Sequence, residues 1–421
     1  MTSQTIPAET LKTEHDSDQI LSVESARAII AQQALISDAG GKVGLELEFH
    51  LVELASPAIR PSWNDVQALL SSLPAMPSGS AITLEPGGQV ELSTPPSPNL
   101  ISAITTLRAD RDTLRQALRA AGYGGVPLGS DPARPVCRTN PHQRYAAMEQ
   151  HFEALGYPGP GRAMMSATAA LQINLDAGHE RDWSGRLAHI RSLVPMLIVA
   201  SSTSPMLAGQ SSGWHSMRQQ TWHGIDPGRS SPIAAGDPTV TWADYALDAP
   251  VMLVHDAGRL RPVTRRITFE TWLRNPSVLG RAATWDDLDY HLTTLFPPVR
   301  PRGYVEIRCV DAMPDRWWPS IVALAVTLID NPVAADAARE LCEPVAGEWE
   351  SASRKGLAHP ALKRAVVGYA ELAADHCPDT FREDLALLAE LYASGRTPSS
   401  ELRDRMNRDG ELSVLEEEAH A

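Results

Sequence analysis

The sequence predicts an α+β fold, and three observations carry that expectation. Strands with strict apolar/polar alternation recur at separated points, Gly44 to Leu51 first among them. Ala81 to Ser93 reads as two such strands around a Pro86-Gly87-Gly88 turn, an antiparallel hairpin. From Trp317 onward the chain is helix after helix, so a part that mixes strands and helices is followed by a wholly helical one.

Residues 1 to about 20 are polar and expected to be loose, 21 to 35 have helical spacing, and Asp38-Ala39-Gly40-Gly41 supplies the turn into the first strand. Gly40-Gly41-Lys42 is not a phosphate loop: the earlier glycine is missing and Val43 stands where Ser or Thr is required. In the first strand Glu46, Glu48 and His50 share one face and Leu45, Leu47, Phe49 and Leu51 the other. A short helix is expected through about Ser72. In the hairpin that follows, Thr83 and Glu85 share a face of one strand, and Gln89, Glu91 and Ser93 share a face of the other.

Asn99 to Ala121 has a long helical pattern with Arg108, Arg111, Arg115 and Arg119 on a face expected to be solvated. Tyr123 to Gly129 is short and apolar or glycine-rich, Asn140 to Leu155 is helix-like, and Met164 to Asp176 reads as a central strand ending with Gln172, Asn174 and Asp176 on one face. A helix from about Asp182 to Ser202 contains Pro195, which implies a kink or a new start. Ser204 to Arg229 mixes glycine, polar and aromatic residues without a period, the signature of a functional loop.

Trp242 to Leu253 is partly helical and then strand-like, Ile267 to Leu273 and Trp285 to Leu295 are helical, and Tyr304 to Cys309 is a strand with Tyr304, Glu306 and Arg308 on one face. Helices are then expected at 317–330, 332–342, 360–374, 380–393 and 399–408, before an acidic Glu416-Glu417-Glu418 end expected to be solvated. No repeat or low-complexity linker divides the chain. Residues 1–421 are therefore read as a single domain, with the helical part 317–421 packed on the sheet.

Composition excludes several classes of function. With 37 basic and 51 acidic residues the net charge is −14, unsuited to neutralising nucleic-acid phosphates or to an anionic membrane surface. No signal-peptide pattern is visible, and the longest apolar runs, near Leu193 to Ala200 and Ile321 to Ile329, fall short of the ~20 residues of a membrane span; a soluble, cytoplasmic protein is expected. Cys137, Cys309, Cys342 and Cys377 are scattered and suggest neither a zinc site nor a disulfide framework.

Separate strands thus present Glu46 and Glu48, Glu85, Glu91, Gln172 and Asn174, and Glu306 and Arg308 on polar faces with hardly a lysine. A solvated sheet face mixes Lys, Thr and Glu, so this pattern favours a buried basin for several Mg²⁺ ions, which take oxygen ligands and hold polyphosphate. Arg302 and Arg308 beside the last strand, with Arg218 and Arg229 in the irregular loop, are available to neutralise the charge that develops in phosphoryl transfer.

The stretches GLELEFHL, ITLEPGGQVELS, MMSATAALQINLD, SMRQQTWHGIDPGR, YALDAPVM and DDLDYHLTTLFPPVRPRGYVEIR, in this order, closely resemble the type 2 (plant-type) glutamate-cysteine ligase family, above all its bacterial ergothioneine-pathway branch. The resemblance runs from about residue 40 to residue 330. It implies a glutamine-synthetase-like fold, a curved, mainly antiparallel sheet with helices on its convex side. It implies binding of ATP and of two or three Mg²⁺, and γ-phosphorylation of glutamate followed by attack of the cysteine amine. Small-molecule partners follow, glutamate, cysteine and ATP, with a monomer or homodimer expected.

By the same resemblance Glu46, Glu48, Glu85, Glu91 and Glu306 would hold metal, and Glu46, Glu48, Glu306 and Arg308 would carry the chemistry. Arg144, Thr168, Trp222, Arg229 and Tyr304 would surround the glutamate, and Arg302, Arg308 and Asn174 the nucleotide. Phe49 stands where the plant pattern has lysine, Cys309 where it has glycine, and Thr168-Ala169-Ala170 where it has Thr-Cys-Thr, changes that bear on the cysteine pocket and on plant-type disulfide regulation. The alternatives are a related carboxylate-amine ligase with another amine or acid, and a metal-dependent hydrolase using the carboxylates and His50. No His-x-x-x-His or Gly-x-Ser-x-Gly motif supports the second.

Overall fold

The apolar halves of the alternating strands decide how the sheet packs. The computed structural model describes residues 20–256 and 258–421. Its strands are β1 (Val43–Glu53), β2 (Ala81–Leu84), β3 (Val90–Ser93), β4 (Tyr123–Val126), β5 (Leu171–Leu175), β6 (Leu253–Asp256), β7 (Arg259–Pro262), β8 (Val299–Pro301) and β9 (Val305–Ile307). Seven of them form one sheet in the order β2-β3-β1-β5-β9-β8, with β4 paired to the end of β1; β6 and β7 form a separate hairpin. Every pairing between these strands is antiparallel.

Leu45, Leu47, Leu92, Ile173 and Ile307 lie on the face away from the carboxylates and are fully buried, each side chain contributing about 1.5–3 kcal/mol of transfer free energy. Helix Leu100–Ala120 packs against β1, β4 and helix Trp318–Asp330, and the latter also meets helix Trp183–Ser201. Helix Trp318–Asp330 is apolar and meets helix Pro332–Cys342 at a bend of 96°, and among the described residues no single helix is long and apolar enough to cross a membrane. A smaller apolar cluster, including Met148, Phe152, Met165 and Ile225, joins helices Gln143–Ala154 and Pro158–Ser166 to the β6–β7 hairpin.

Three expectations require correction. Met164 to Asp176 is not one strand: Pro158 opens a helix that runs to Ser166, the Thr168 hydroxyl donates back to the Met164 carbonyl, and the strand begins only at Leu171. The outer arginines of the long helix are not simply solvated, since Arg111 is buried against Asp315 while Arg115 and Arg119 donate to the Ala421 and His420 carbonyls. The acidic end is a helix, Glu411–His420, packed on β4, with Glu418 buried between Arg316 and Arg405. The irregular loop also contains two short helices, Met217–His223 and Pro227–Ser230. The expectation for residues 1–20 lies, apart from Ile20, outside the described residues.

Candidate active site

Strand register assembles the polar residues into rows across one face. Glu48 on β1 pairs with Glu91 on β3, which pairs with Thr83 on β2. Glu46 lies between Ser93 and Gln172. Asn174 on β5 pairs with Glu306 on β9, which pairs with Arg300 on β8. Directly paired residues point to the same side of a sheet, so these rows form one continuous floor. Glu85 joins it from the hairpin turn, where Gly87 admits no side chain: a Cβ there would stand 2.3 Å from the Ser166 carbonyl oxygen.

The floor is electrostatically divided. Burial, with repulsion from Glu91 and Glu306, pushes the Glu46 carboxyl up to about 7, although Asn174 Nδ2 donates to its Oε1 at 2.8 Å. Burial also raises Glu48, despite the charge of Arg218 and a bond from the Ala170 N–H at 2.9 Å. Glu85 is driven well above the usual carboxylate range by burial and then by Glu91 and Glu48. Burial and Glu48 raise Glu91 too, against bonds from the Thr83 and Ser93 hydroxyls at 2.7 and 3.1 Å.

Glu306 is the opposite case. Burial works to raise it, but Arg300, Arg308 and Arg302 outweigh burial and hold it at about 2. Arg300 grips it bidentately at 2.6 and 3.0 Å, and Arg308 Nη1 lies 3.1 Å from Oε2 while donating to Gln172 Oε1 at 2.6 Å.

Four carboxylates that repel one another, half-buried and so reachable from solvent, form an oxygen-only donor set that fits a hard divalent cation. Among the described residues no three His, Cys, Asp or Glu side chains close into a ready-made chelate; Mg²⁺ in nucleotide sites takes one or two carboxylates with phosphate oxygens and water.

The other expected site residues are placed differently. Tyr304 stands beside Glu306 and Glu46, its phenol pushed up to about 12 chiefly by burial. Arg302 is exposed, 3.9 Å from Glu306. Arg144 donates to the Thr293 hydroxyl at 3.1 Å, stacks over Tyr290, and its charge acts on Glu85. Thr168 is buried, with its hydroxyl engaged by Met164 and its carbonyl by the Gln89 amide. Trp222 packs on Phe296, and its buried Nε1 has no hydrogen-bond partner. Arg229 is fully buried and donates to the Thr294 and Pro250 carbonyls at 2.8 and 2.7 Å, so its fork braces three segments of protein. His50 is buried with Nε2 on the Leu128 carbonyl, and burial lowers it to about 4, which leaves it a structural imidazole.

Sequence reading missed Arg300, Tyr145 and Asp311. Arg300 was readable: Gly303, at φ +79°, turns Val299 to Ile307 into a hairpin whose alternation sets Arg300 opposite Glu306. Tyr145, raised by burial and by Glu85 and Glu91, arrives from a separate helix and left no signal. Asp311 is buried, accepts from Ser204 and Thr203, and faces Arg218 at 3.5 Å, a long-range network with no local pattern.

A sequence model described as glutamate-cysteine ligase family 2 matches residues 42–418. The chain is similar to the glutamate–cysteine ligase EgtA of Mycolicibacterium smegmatis, 44% identical over 403 residues that cover 95% of each protein. It is 28% identical to the chloroplastic glutamate–cysteine ligase of Brassica juncea over 385 residues, 86% of this chain and 74% of that one. In fold it is similar to the Francisella tularensis glutamate–cysteine ligase solved in complex with AMP, with a TM-score of 0.58 at 12% identity, covering 91% of this chain and 88% of that one.

Proposed function

The chain belongs to glutamate-cysteine ligase family 2, and from that premise we propose that it joins the γ-carboxylate of L-glutamate to the amine of L-cysteine with cleavage of ATP to ADP and phosphate. The observation that carries this reading is the divided floor, a cation-seeking half built from Glu46, Glu48, Glu85 and Glu91 beside a half rich in arginine. An enzyme that brings a carboxylate to a polyphosphate needs both. When bound, Mg²⁺ at Glu46, Glu48, Glu85 and Glu91 supplies positive charge that screens the approaching anions.

The residues of the chain divide the remaining work. Arg308 faces the floor with its charge intact, because Glu306 and Gln172 fix its direction, and it is placed to take phosphate oxygens. Arg302, exposed at the rim, adds a second phosphate contact. Glu306 acts here by orienting arginines; with Arg300 on both its oxygens it reaches a metal only by giving up that pair. Asn174 fixes the Glu46 carboxylate.

A γ-carboxylate oxygen of glutamate attacks the terminal phosphorus of ATP, and ADP leaves. The cysteine amine then attacks the acyl carbon, the amine proton is lost and inorganic phosphate departs. Phosphorylation is required because an unactivated carboxylate would have to expel oxide. Among the residues expected at glutamate, Arg144 acts by its charge on Glu85, and the Tyr304 phenol is influenced by Glu306 and Glu46.

We further propose one catalytic unit in the cytoplasm whose product enters ergothioneine synthesis, in line with the 44% identity to EgtA. A coupled ADP-release assay with mass detection of γ-glutamylcysteine tests the activity: turnover only with glutamate, cysteine and Mg-ATP together is expected. Turnover without ATP, or with another acid and none with glutamate plus cysteine, overturns it. Loss of cellular ergothioneine on disrupting the gene is the expected outcome for the pathway.

A further inference from the structure

Helix Met217–His223 grips the chain where it leaves β9, through two successive side chains. Arg218 Nη2 donates to the Arg308 carbonyl at 2.9 Å, and Gln219 Nε2 donates to the Cys309 carbonyl at 2.9 Å. The Arg308 N–H is held as well, by the Pro298 carbonyl at 2.9 Å. Arg218 is itself anchored: its Nη1 lies 3.5 Å from Asp311 Oδ1, and both side chains are almost wholly removed from solvent. The second oxygen, Asp311 Oδ2, accepts from the Ser204 hydroxyl at 2.6 Å and from the Thr203 N–H at 3.0 Å. That carboxylate has room only because residue 129 is glycine, where a Cβ would stand 2.3 Å from Oδ2.

The two oxygens of Asp311 thus serve different partners. Oδ2 ties down the loop that follows helix Trp183–Ser201, and Oδ1 is directed at the guanidinium. Arg218 has both terminal nitrogens engaged inside the protein, so its fork spans Asp311 and the Arg308 backbone and is not offered to phosphate. We propose that Asp311 is a positioning residue for Arg308: through Arg218 it fixes the Arg308 backbone, and with it the guanidinium held by Glu306 and Gln172. The inference rests on the ligase reading, which sets Arg308 at the nucleotide phosphates. The guanidinium lies several bonds from its Cα, so a small shift of that backbone is carried to the phosphate contact, where misplacement is costly.

Calorimetric titration of the full chain with Mg-ATP, in the absence of glutamate and cysteine, tests the assignment without turnover. Asp311→Asn keeps an oxygen for Ser204 and Thr203 and turns an amide toward Arg218, so Mg-ATP is expected to bind about tenfold more weakly. In an Arg308→Gln background the same substitution is expected to change the affinity by less than about twofold, because the group it positions is gone; a purely structural role would weaken binding by the same factor in both backgrounds. Arg218→Lys keeps a charge beside Asp311 but has no fork to span that carboxylate and the Arg308 carbonyl. It is expected to repeat both results, and serves if Asp311→Asn does not fold. Full affinity in a folded Asp311→Asn or Arg218→Lys variant, or equal losses in the two backgrounds, overturns the inference and leaves the ligase reading in place. Absence of Mg-ATP binding by the wild-type chain overturns that reading, and the inference with it.

Discussion

Glu46 and Glu306 stand two strands apart on one sheet face and are the same residue, yet their proton affinities are displaced in opposite directions. Glu46 meets other carboxylates and is pushed up to about 7; Glu306 meets three guanidiniums and is held at about 2. Burial acts in the same direction on both. Neighbouring charge therefore decides the outcome, and residue type decides nothing by itself. Under the proposed function one end of the floor would take a cation, and the other, with its own cations fixed in place, an anion.

The comparison breaks most visibly in activity. Glu46→Gln or Glu48→Gln should fold cooperatively yet lose about three orders of magnitude in turnover, equivalent to about 4 kcal/mol of barrier. Near wild-type ADP release at saturating Mg²⁺ would refute the cation-binding role of that half.

Stability should respond with opposite sign at the two ends. Arg300→Gln strips the bidentate partner from a buried carboxylate and should cost about 3–5 kcal/mol in urea unfolding. Glu46→Gln keeps an acceptor for Asn174 and removes a repelled charge, so in metal-free protein at pH 8 it should raise the melting temperature. A lowered melting temperature for Glu46→Gln would show that the carboxylates are already balanced without a metal.

The pH dependence separates the two ends again. A carboxyl raised in the folded state binds its proton more tightly there than in the unfolded chain. Its contribution is full below the unfolded value near 4.5 and is lost as pH rises through about 7, so metal-free protein should lose stability across that window. Glu306 is depressed, so its contribution is present above 4.5 and is lost as pH falls toward about 2. The proposed Mg²⁺ site needs deprotonated carboxylates, so Mg²⁺ should raise the melting temperature more at pH 8 than at pH 5.5; an equal increment at both would contradict the assignment.

Arg302→Gln should have the smallest effect. The side chain is exposed and 3.9 Å from Glu306, so stability should change by less than about 1 kcal/mol, while KM for ATP rises about threefold to tenfold. An unchanged KM would confine phosphate recognition to Arg308.

Much of the floor was legible because β periodicity is local. Alternation alone assigned Glu46, Glu48, Glu91, Asn174 and Glu306 to polar faces, and register brought them together as expected. Arg229 shows where that reading ends. Its residue type fits a carboxylate grip, but its burial and its bonds to Thr294 and Pro250 depend on segments up to 65 residues away. The Glu416-Glu417-Glu418 run is similar: charge predicts solvent, yet Glu418 sits between Arg316 and Arg405, contributed by other elements.

The sequence by itself determined the α+β class, the strands that form the floor and the oxygen-rich chemistry they carry, because each follows from residue type and a period of two within a few residues. Only the tertiary structure decided which carboxylates remain uncompensated and which are neutralised, and which arginines face the floor and which brace the chain. Those properties depend on Coulomb energies over a few ångströms and on exclusion of water, and both are set by residues far apart in the chain.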